Sequence, residues 1–449
     1  MQIPVQLGLF EQSKTPQKKK QESEWGTFKD SLRAPVHRWF TYPAGFSYKA
    51  VEHSIERFGI LPGQTIYDPF MGSGTTNLTA KTLGIHSFGV EAHPFVYRIT
   101  TAKMNWCIDR GEVLEFLKVV RLELPHLSQS YHPDQIKETF PELILKCYQE
   151  NTLADLLALR ILVCEQKMSA DLREFFFVVA TALLREVSTA ATGWPYIAPN
   201  KQKVTSLDKD VLTEFSNLAR RMVDDIEEIK IWSNGRYQRT THTLINGDSR
   251  DTTGRIPAES VDHVFTSPPY LNNFDYADRT RLELYFWGEA KTWGEITRDV
   301  RDKLMTSATT QIARSDAKYE ISAELQADCS DVAAFVAMTV AELSTRRLHK
   351  GGKKSYDLMV AGYFNDIHQI VRDVYRVLKP NTKALFVLGD SAPYGVHIPT
   401  DKLIGEIGLG VGFSDYDIEV LRTRGDKWKA NPQRHSVALR ESIVILNKK

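Results

Sequence analysis

Two spacings of apolar residues alternate along much of this chain. Residues 65–67 and 86–90 are short apolar runs typical of buried strands, and residues 75–82 between them repeat their apolar positions at helical intervals. A strand, a helix and a second strand in this order predict a parallel sheet, because parallel neighbours need a crossover connection. The same rhythm predicts strands at 242–245, 261–265, 384–388 and 442–446, and helices at 50–58, 278–286 and 363–378.

Two long stretches interrupt this rhythm with patterns that are mostly helical. Helical periodicity covers 153–164, 172–187 and 212–231 in the first stretch, and the second stretch follows the strand at 261–265. The start of the chain is polar and basic, which is typical of a mobile tail. The predicted organisation is a flexible tail at 1–30, a core at 31–110 and 240–449, a helical insertion at 111–239, and a second helical insertion within the core at 292–355.

The composition is that of an ordinary globular protein. The 449 residues are 42% hydrophobic and 25% charged, and no apolar run approaches the roughly 20 residues of a membrane helix. The four cysteines are scattered and none forms a Cys-x-x-Cys pair, so the sequence predicts a reduced, cytoplasmic protein without a metal site. The net charge is only +1, so any footprint on nucleic acid must be local.

A glycine-containing turn, Asp68–Thr76, follows the first predicted strand. Gly72 and Gly74 let the backbone turn tightly and approach a ligand closely. Asn77 stands where a dinucleotide fingerprint has its third glycine, and no lysine follows for a P-loop, so both of those sites are disfavoured. Glu91 ends the next predicted strand, where a carboxylate can accept hydrogen bonds from both hydroxyls of a ribose. A plain tight turn and a solvated charge are the alternative interpretations.

A more specific motif, Thr266-Ser267-Pro268-Pro269-Tyr270, follows the predicted strand at 261–265. Consecutive prolines fix the backbone and leave their carbonyls as bare acceptors, and the serine adds a hydroxyl. Tyr270 adds a flat face on which a base can stack. Acceptors clustered beside an aromatic ring suit the amino group of a planar heterocycle, although a structural Pro-Pro loop with a packed tyrosine is the alternative.

The two motifs resemble those of the amino-methyltransferases of bacterial restriction–modification systems. Asp68–Thr76 is similar to the family's cofactor motif, and Ser267–Tyr270 is similar to its catalytic motif, in the serine form typical of members that modify N4 of cytosine. Residues 37–47 and 246–249 lie where the family has its segments for the methionine and adenine ends of the cofactor. The resemblance implies an α/β fold of the Rossmann-like class I methyltransferase type, with a mixed, mostly parallel seven-stranded sheet.

The resemblance also implies a cofactor, a target and a set of site residues. The cofactor is S-adenosyl-L-methionine, and the residues expected to bind it are Asp68, Phe70, Gly72, Gly74, Thr75, Glu91 and Asp248. The residues expected to hold the target amino group are Ser267, Pro268, Pro269 and Tyr270. The expected partners are double-stranded DNA, with the target base flipped out, and a cognate restriction endonuclease.

Three other functions stay open on the residues alone. Adenine N6 carries an amino group that the same loop can hold, and RNA guanine-N2 methyltransferases also use a Pro-Pro loop. A DNA-binding specificity protein with a decayed cofactor site is a non-enzymatic alternative. The intact turn at Asp68–Thr76 and the intact Ser267–Tyr270 motif argue against that last function.

Local basic clusters are the candidates for DNA contact. One includes Arg346 and Arg347 in the second insertion, and a late loop contains Arg424, Lys427 and Arg434. Solvated basic faces are the alternative interpretation of both. The two helical insertions are expected to frame the DNA, with the irregular segment around residues 194–196 reaching the bases. The glycines at 408–412 follow a predicted helix and are interpreted as a helix end rather than a nucleotide loop.

Overall fold

A computed structural model describes residues 25–42, 45–191, 197–202, 209–349, 354–424 and 437–449. A strand occurs at each of the six positions that the apolar pattern predicts. The strands in these ranges are Thr65–Asp68 (β1), His86–Glu91 (β2), Ala190–Ala191 (β3), Ala198–Gln202 (β4), His242–Asn246 (β5), Val261–Thr266 (β6), Leu378–Gly389 (β7), Asp415–Arg424 (β8) and Leu439–Lys448 (β9).

Seven of the described strands form one sheet in the order β5-β2-β1-β6-β7-β9-β8. The pairings from β5 through β7 are parallel, whereas β9 runs antiparallel to both β7 and β8. The predicted Rossmann-like fold with a mixed, mostly parallel sheet is therefore confirmed. The order of the strands reverses between β1 and β6, and ligands of open α/β sheets bind at the carboxyl ends of strands at such a point.

Helices cover both faces of this sheet and fill the two long stretches between its strands. The α-helices of the described ranges are Tyr48–Arg57 (α1), Thr75–Leu83 (α2), Pro94–Met104 (α3), Arg110–Gln129 (α4), Pro133–Thr139 (α5), Glu142–Leu145 (α6), Glu150–Glu165 (α7), Ala170–Val187 (α8), Val211–Ser233 (α9), Tyr276–Arg279 (α10), Arg281–Trp287 (α11), Trp293–Asp299 (α12), Ala323–Asp328 (α13), Ser330–His349 (α14), Tyr356–Val377 (α15) and Thr400–Val411 (α16). Short 3-10 helices lie at His37–Trp39, Arg236–Arg239, Arg301–Lys303, Thr309–Gln311, Ala317–Tyr319 and Pro393–Gly395.

Alternate residues of the central strands enter different hydrophobic cores. On β6, Val264 packs with the core beneath α14, α15 and α16, and its neighbour Phe265 packs with the core beneath α1 and α2. Phe386 and Leu385 of β7 divide in the same way. Successive side chains of a strand point to opposite faces, and a parallel sheet is covered on both faces, so its strands appear as continuous apolar runs.

The described part of the predicted tail is packed instead of mobile. Trp25 and Phe28 are buried, and the carbonyl of Trp25 accepts a hydrogen bond of 2.9 Å from the backbone N–H of Ser47. Their aromatic rings add apolar area to the interior, which a polar tail would lack. The expected boundary at residue 30 thus falls too late, and residues 1–24 lie outside the described ranges.

Two predicted helices and one predicted helix end differ clearly from the observed ones. The helix expected at 278–286 is broken at Thr280 into α10 and α11, and the helix expected from residue 363 begins at Tyr356. The glycines at 408–412 were expected to end a helix. Instead, α16 continues through Gly408 and Gly410 to Val411, and only Gly412, whose φ is 127°, terminates it. A Cβ on Gly408 would lie 2.7 Å from Leu446 of β9, so close helix–sheet packing explains a glycine inside the helix.

The helices from α4 to α9 form a layer with its own aromatic core. Phe175, Phe176 and Phe177 of α8 and Phe215 of α9 are almost completely buried in it. The limits of the two insertions and their role in target recognition stay predictions. No helix in the described part of the chain has the length and apolar content needed to cross a bilayer.

Candidate active site

The glycine turn lies at the carboxyl end of β1 and leads directly into α2. Gly72 and Gly74 adopt left-handed φ values of 51° and 84°, which L side chains rarely adopt, and α2 begins at Thr75. The carboxylate of Asp68 accepts hydrogen bonds from Phe70 N at 3.0 Å and from Thr266 Oγ1 at 2.6 Å. Asp68 therefore ties the turn to the end of β6, and burial raises its pKa to about 6.

Glu91 ends β2 beside this turn. Its Oε2 accepts a hydrogen bond of 2.8 Å from Gly72 N, and its Oε1 accepts one of 2.8 Å from His93 N. A carboxylate has about four lone-pair positions, so two backbone donors leave acceptor capacity on each oxygen. Burial raises the pKa of the carboxyl to about 7, although these backbone bonds oppose the shift. Glu91 can thus accept further hydrogen bonds from a polar ligand.

Helix α3 supports the turn from behind. Lys103 is completely buried and donates hydrogen bonds to the carbonyl of Ser73 at 2.7 Å and to that of His37 at 3.4 Å. Thr100 Oγ1 donates to the carbonyl of Gly72 at 2.6 Å. Burial lowers the pKa of Lys103 to about 7. Lys103 is not among the residues predicted for the site, because a lone lysine within a helix belongs to no recognisable motif.

The Ser-Pro-Pro-Tyr loop leaves the carboxyl end of β6, next to β1. The half-buried Ser267 donates its hydroxyl hydrogen to the carbonyl of Val387 at 2.9 Å. Since that hydrogen is engaged, the oxygen of Ser267 offers lone pairs to anything that approaches it. Tyr270 is only 6% exposed, and its hydroxyl donates to Oε1 of Glu441 at 2.8 Å. Its role as a stacking face stays a prediction.

A cleft of about 830 Å³, part of it open to solvent, separates the glycine turn from this loop. The sequence-predicted residues in its lining are Phe70, Gly72, Thr75, Glu91, Asp248, Ser267 and Pro269. The predicted residues that are not part of this lining are Asp68, Gly74, Pro268 and Tyr270. Across the described ranges, no group of three or more His, Cys, Asp or Glu side chains is placed to hold a metal ion.

Sequence reasoning missed several residues of this lining. Tyr42 and Phe46 fall within the segment at 37–47, which was identified as a cofactor segment without any residue being selected from it. The stretch Lys303–Ser307 contributes most of its residues to the lining, yet it belongs to the second insertion, where no motif signals a role. Long-range packing brings it to the cleft, and a local pattern cannot indicate that.

Asp248 lines the cleft with a carboxylate that is already paired. Arg250 donates to it from Nε at 2.8 and 3.0 Å and from Nη2 at 2.6 Å. The side chain of Asp248 is nevertheless 48% exposed, so its remaining lone pairs face solvent. This geometry fixes the position of the carboxylate and leaves it able to accept a hydrogen bond from a ligand.

The candidate DNA-contacting residues are only partly described. Arg346 donates to the carbonyl of Tyr394 at 2.8 Å, and its side chain is 43% exposed. Arg347 is 17% exposed and lies 3.6 Å from the buried carboxylate of Asp357. Arg346 is therefore the better placed of the two for contact with a phosphate. The side chain of Arg424 and all of Lys427, Arg434 and 194–196 lie outside the described residues, so their role stays a prediction.

Comparisons with known proteins agree with this geometry. A family model described as DNA methylase matches residues 8–102. The Type II methyltransferase M.BsoBI of Geobacillus stearothermophilus is 29% identical over 445 residues, which cover 92% of this chain and 86% of that protein. The Type II methyltransferases M.AvaI of a Nostoc strain and M.MvaI of Kocuria varians are each 22% identical over 94% of this chain, with 88% and 93% of their own lengths covered.

Proposed function

Because this chain belongs to the DNA amino-methyltransferases of restriction–modification systems, we propose that it methylates the exocyclic N4 of cytosine in double-stranded DNA. The observation that carries the assignment to an exocyclic amino group is the hydrogen bond from Ser267 to the carbonyl of Val387, and the serine form of the motif favours cytosine over adenine. The hydrogen bond orients the hydroxyl so that only lone pairs face the cleft. An oxygen of this kind can accept an amino hydrogen but has no hydrogen to donate to a ring nitrogen or carbonyl.

The residues of the cleft fit S-adenosyl-L-methionine. Glu91 retains acceptor capacity on both carboxylate oxygens, which suits a ribose diol, and Asp248 offers a charged acceptor for an adenine amino group. Phe70 and Val90 add apolar lining beside them, and Gly72 has no side chain to obstruct the cleft. When bound, the cofactor supplies a methyl group made electrophilic by its sulfonium.

The loop residues make the amino nitrogen of the base reactive. The lone pair of this nitrogen is delocalised into the ring, so the free base is a poor nucleophile. We propose that Ser267 Oγ and the carbonyl of Pro268 each accept one amino hydrogen, which favours tetrahedral geometry and localises the lone pair. No covalent intermediate with the protein is needed. The contribution of the chain is positioning and electrostatics rather than nucleophilic attack.

The target base must leave the duplex to reach this loop. We propose that Tyr270 stacks on the flipped base, and that the hydrogen bond from its hydroxyl to Glu441 fixes the plane of the ring. Arg346 and the late basic loop are proposed to contact phosphates. A cognate endonuclease and a cytoplasmic location, where host DNA lies, complete the proposal. The four free cysteines are consistent with a reduced compartment.

Analysis of the methylated product tests the choice of base. DNA from a host that expresses the protein is hydrolysed to nucleosides and separated by mass spectrometry, with an empty host and a host expressing Ser267→Ala as controls. We expect abundant N4-methylcytosine with the wild-type protein, much less with Ser267→Ala, and none in the empty host. N6-methyladenine in its place would assign the target to adenine, and methylation of RNA without methylation of DNA would overturn the proposal.

Removal of the Tyr270 ring should weaken capture of the base. Tyr270→Ala deletes the proposed stacking face, which is worth about 1–3 kcal/mol per base, so DNA affinity should fall while cofactor affinity is retained. Tyr270→Phe is the matched control, because it keeps the ring and removes only the bond to Glu441. Fluorescence anisotropy with a cognate duplex measures the effect. Equal DNA affinity in Tyr270→Ala and wild type would show that this ring does not hold the base.

Cofactor affinity should rise with pH through about 7, the pKa of the buried Glu91. Ribose hydroxyls donate to the ionised carboxylate, so protonation competes with binding, and affinity should fall about ten-fold per pH unit below the pKa. The stability of the free protein should show the opposite trend. Folding raises the pKa of Glu91 from 4.5 to about 7, so its contribution to stability is complete below 4.5 and lost as pH rises through 7.

Calorimetry with S-adenosyl-L-methionine at pH 6 and pH 8 measures this dependence. Glu91→Gln should bind weakly at both values, with no change between them. Asp68→Asn is the control, because burial raises the pKa of Asp68 as well, to about 6, although Asp68 does not line the cleft. If Asp68→Asn removes the pH dependence and Glu91→Gln retains it, the titrating group has been assigned to the wrong residue.

A further inference from the structure

A short segment of the second insertion closes one side of the cofactor cleft. Residues 301–307, here called the strap, contribute Lys303, Leu304, Met305 and Ser307 to the lining. The strap lies far in sequence from the glycine turn and from the Ser-Pro-Pro-Tyr loop. Whatever fixes its position therefore also fixes the shape of the cleft.

Packing alone does not hold the strap in place. Leu304 lines the cofactor cleft and also a second cavity, of about 950 Å³ and partly open to solvent, on the other side of the strap. The second cavity is lined mainly by polar side chains, among them Arg250, Asn365 and Asp366. Met305, Thr306 and Ser307 are buried, whereas Leu304 borders both spaces, so polar contacts add to packing in fixing the strap.

Asp366 of α15 supplies one such contact. Its Oδ2 accepts a hydrogen bond of 2.7 Å from the backbone N–H of Thr306 in the strap. Its Oδ1 accepts one of 2.8 Å from Nη1 of Arg250. The side chain of Asp366 is only 10% exposed, so these bonds lie in a region of low dielectric where charge-assisted hydrogen bonds are strong.

Arg250 continues the connection to the opposite part of the cleft. Its Nε and Nη2 grip the carboxylate of Asp248 at 2.6–3.0 Å, while its Nη1 reaches Asp366. The result is a continuous relay from Asp248 through Arg250 and Asp366 to the N–H of Thr306. Asp248 and the strap both line the cofactor cleft, whereas Arg250 and Asp366 line only the second cavity.

We propose that Arg250 and Asp366 are positioning residues that hold Asp248 and the strap at a fixed separation for the adenosine part of the cofactor. This inference rests on the proposed function, since it assumes that S-adenosyl-L-methionine occupies the cleft. The second insertion is then part of the cofactor site as well as a candidate for target recognition. Further contacts keep the strap attached when the relay is broken, among them the buried ion pair of Arg301 with Asp275 at 2.9 Å and the bond from Gln311 Nε2 to the carbonyl of Met305 at 2.9 Å.

Two measurements on Asp366 variants test the relay. Calorimetry gives the affinity for S-adenosyl-L-methionine, and hydrogen exchange of peptides covering 301–309 reports whether the N–H of Thr306 is protected without any cofactor. Asp366→Ala should weaken cofactor binding about ten-fold and speed exchange in the strap. Asp366→Asn keeps one acceptor oxygen and should give a smaller effect of the same sign.

Asp373→Asn is the matched control. Asp373 lies two turns further along α15, is 6% exposed and is also bonded to an arginine, Arg376, but it does not contact the strap. Its loss should lower the melting temperature without changing exchange at 301–309. The double variant Arg250→Met with Asp366→Ala should bind the cofactor as tightly as whichever single variant has the lower affinity. Both substitutions break the same relay, so their effects should not add.

The outcomes separate this inference from the proposed function. If wild-type protein binds the cofactor and both Asp366→Asn and Asp366→Ala bind it as tightly as Asp373→Asn, the relay has no positioning role and the proposal of methyl transfer is untouched. If exchange in the strap is unchanged by Asp366→Ala, the bond to Thr306 does not hold the segment. Wild-type protein that binds no S-adenosyl-L-methionine would overturn both proposals.

Discussion

Ser267→Ala should slow methyl transfer in a single turnover by about 100- to 1,000-fold, the loss typical when one preorganised polar partner of a transition state is removed. The base would still be seated, but its amino lone pair would stay delocalised, so the rate should fall much more than DNA affinity does. Cofactor affinity should not change, because Glu91 and the glycine turn are untouched. The measurement is rapid-quench methyl transfer with enzyme in excess over a cognate duplex.

Ser267→Asp is the informative companion to this variant. An aspartate restores an acceptor at the same position, as in the Asp-Pro-Pro-Tyr form of the motif, so it should recover part of the rate that alanine loses. Both variants lose the hydrogen bond to Val387, so this loss does not account for a difference in rate between them. Wild-type single-turnover rates in Ser267→Ala would mean that the Pro-Pro loop is structural and that the chemistry occurs elsewhere.

Gly72→Val should abolish detectable binding of S-adenosyl-L-methionine, a loss of more than about 100-fold. Gly72 has a φ of 51°, and a Cβ there would lie 3.5 Å from the ring of Tyr42. The protein interior therefore has room for the first added carbon, and the rest of the side chain enters the cleft. The backbone strain of a β-branched residue at this φ adds about 1–3 kcal/mol of destabilisation.

Gly59→Val separates strain from obstruction of the cleft. Gly59 has a φ of 66°, and a Cβ there meets nothing within 4 Å, so the strain is similar but the cleft stays open. Calorimetry and thermal melting on both variants should give similar losses of stability and a loss of binding only in Gly72→Val. Gly74→Val tests obstruction of the cleft less clearly. A Cβ at this position would lie 2.5 Å from Thr100 and would disturb the packing behind the turn.

Local patterns predicted the half of the sheet that carries the glycine turn. The strands β1, β2, β5 and β6 match the predicted runs within one residue at each end, because buried parallel strands are short, continuous apolar segments. The edge strand β8 was not predicted, and its last residues were expected to belong to a basic loop. Its Tyr416, Ile418 and Val420 alternate with polar residues, and this period of two was the signal that could have identified it.

The candidate site was predicted only where its residues follow a strand in sequence. Glu91 and Ser267 stand directly at the ends of β2 and β6, so the topology places them at the cleft. Lys103, the strap and Asp366 act through contacts between distant segments, and no spacing in the sequence encodes them. Tyr270 shows a further limit: its position was predictable, but its burial and its bond to Glu441 depend on β9.

The strap belongs to the second insertion, and this matters for any attempt to change the DNA sequence that the enzyme modifies. A chimaera that receives the 111–239 insertion of a relative keeps the glycine turn, Asp248 and the strap from its own chain. A chimaera that receives the 292–355 insertion exchanges Lys303–Ser307 and Gln311 as well, and with them one wall of the cleft. Such a graft should retain residues 301–311 of the recipient, because the length and backbone conformation of the strap place the N–H of residue 306 at Asp366.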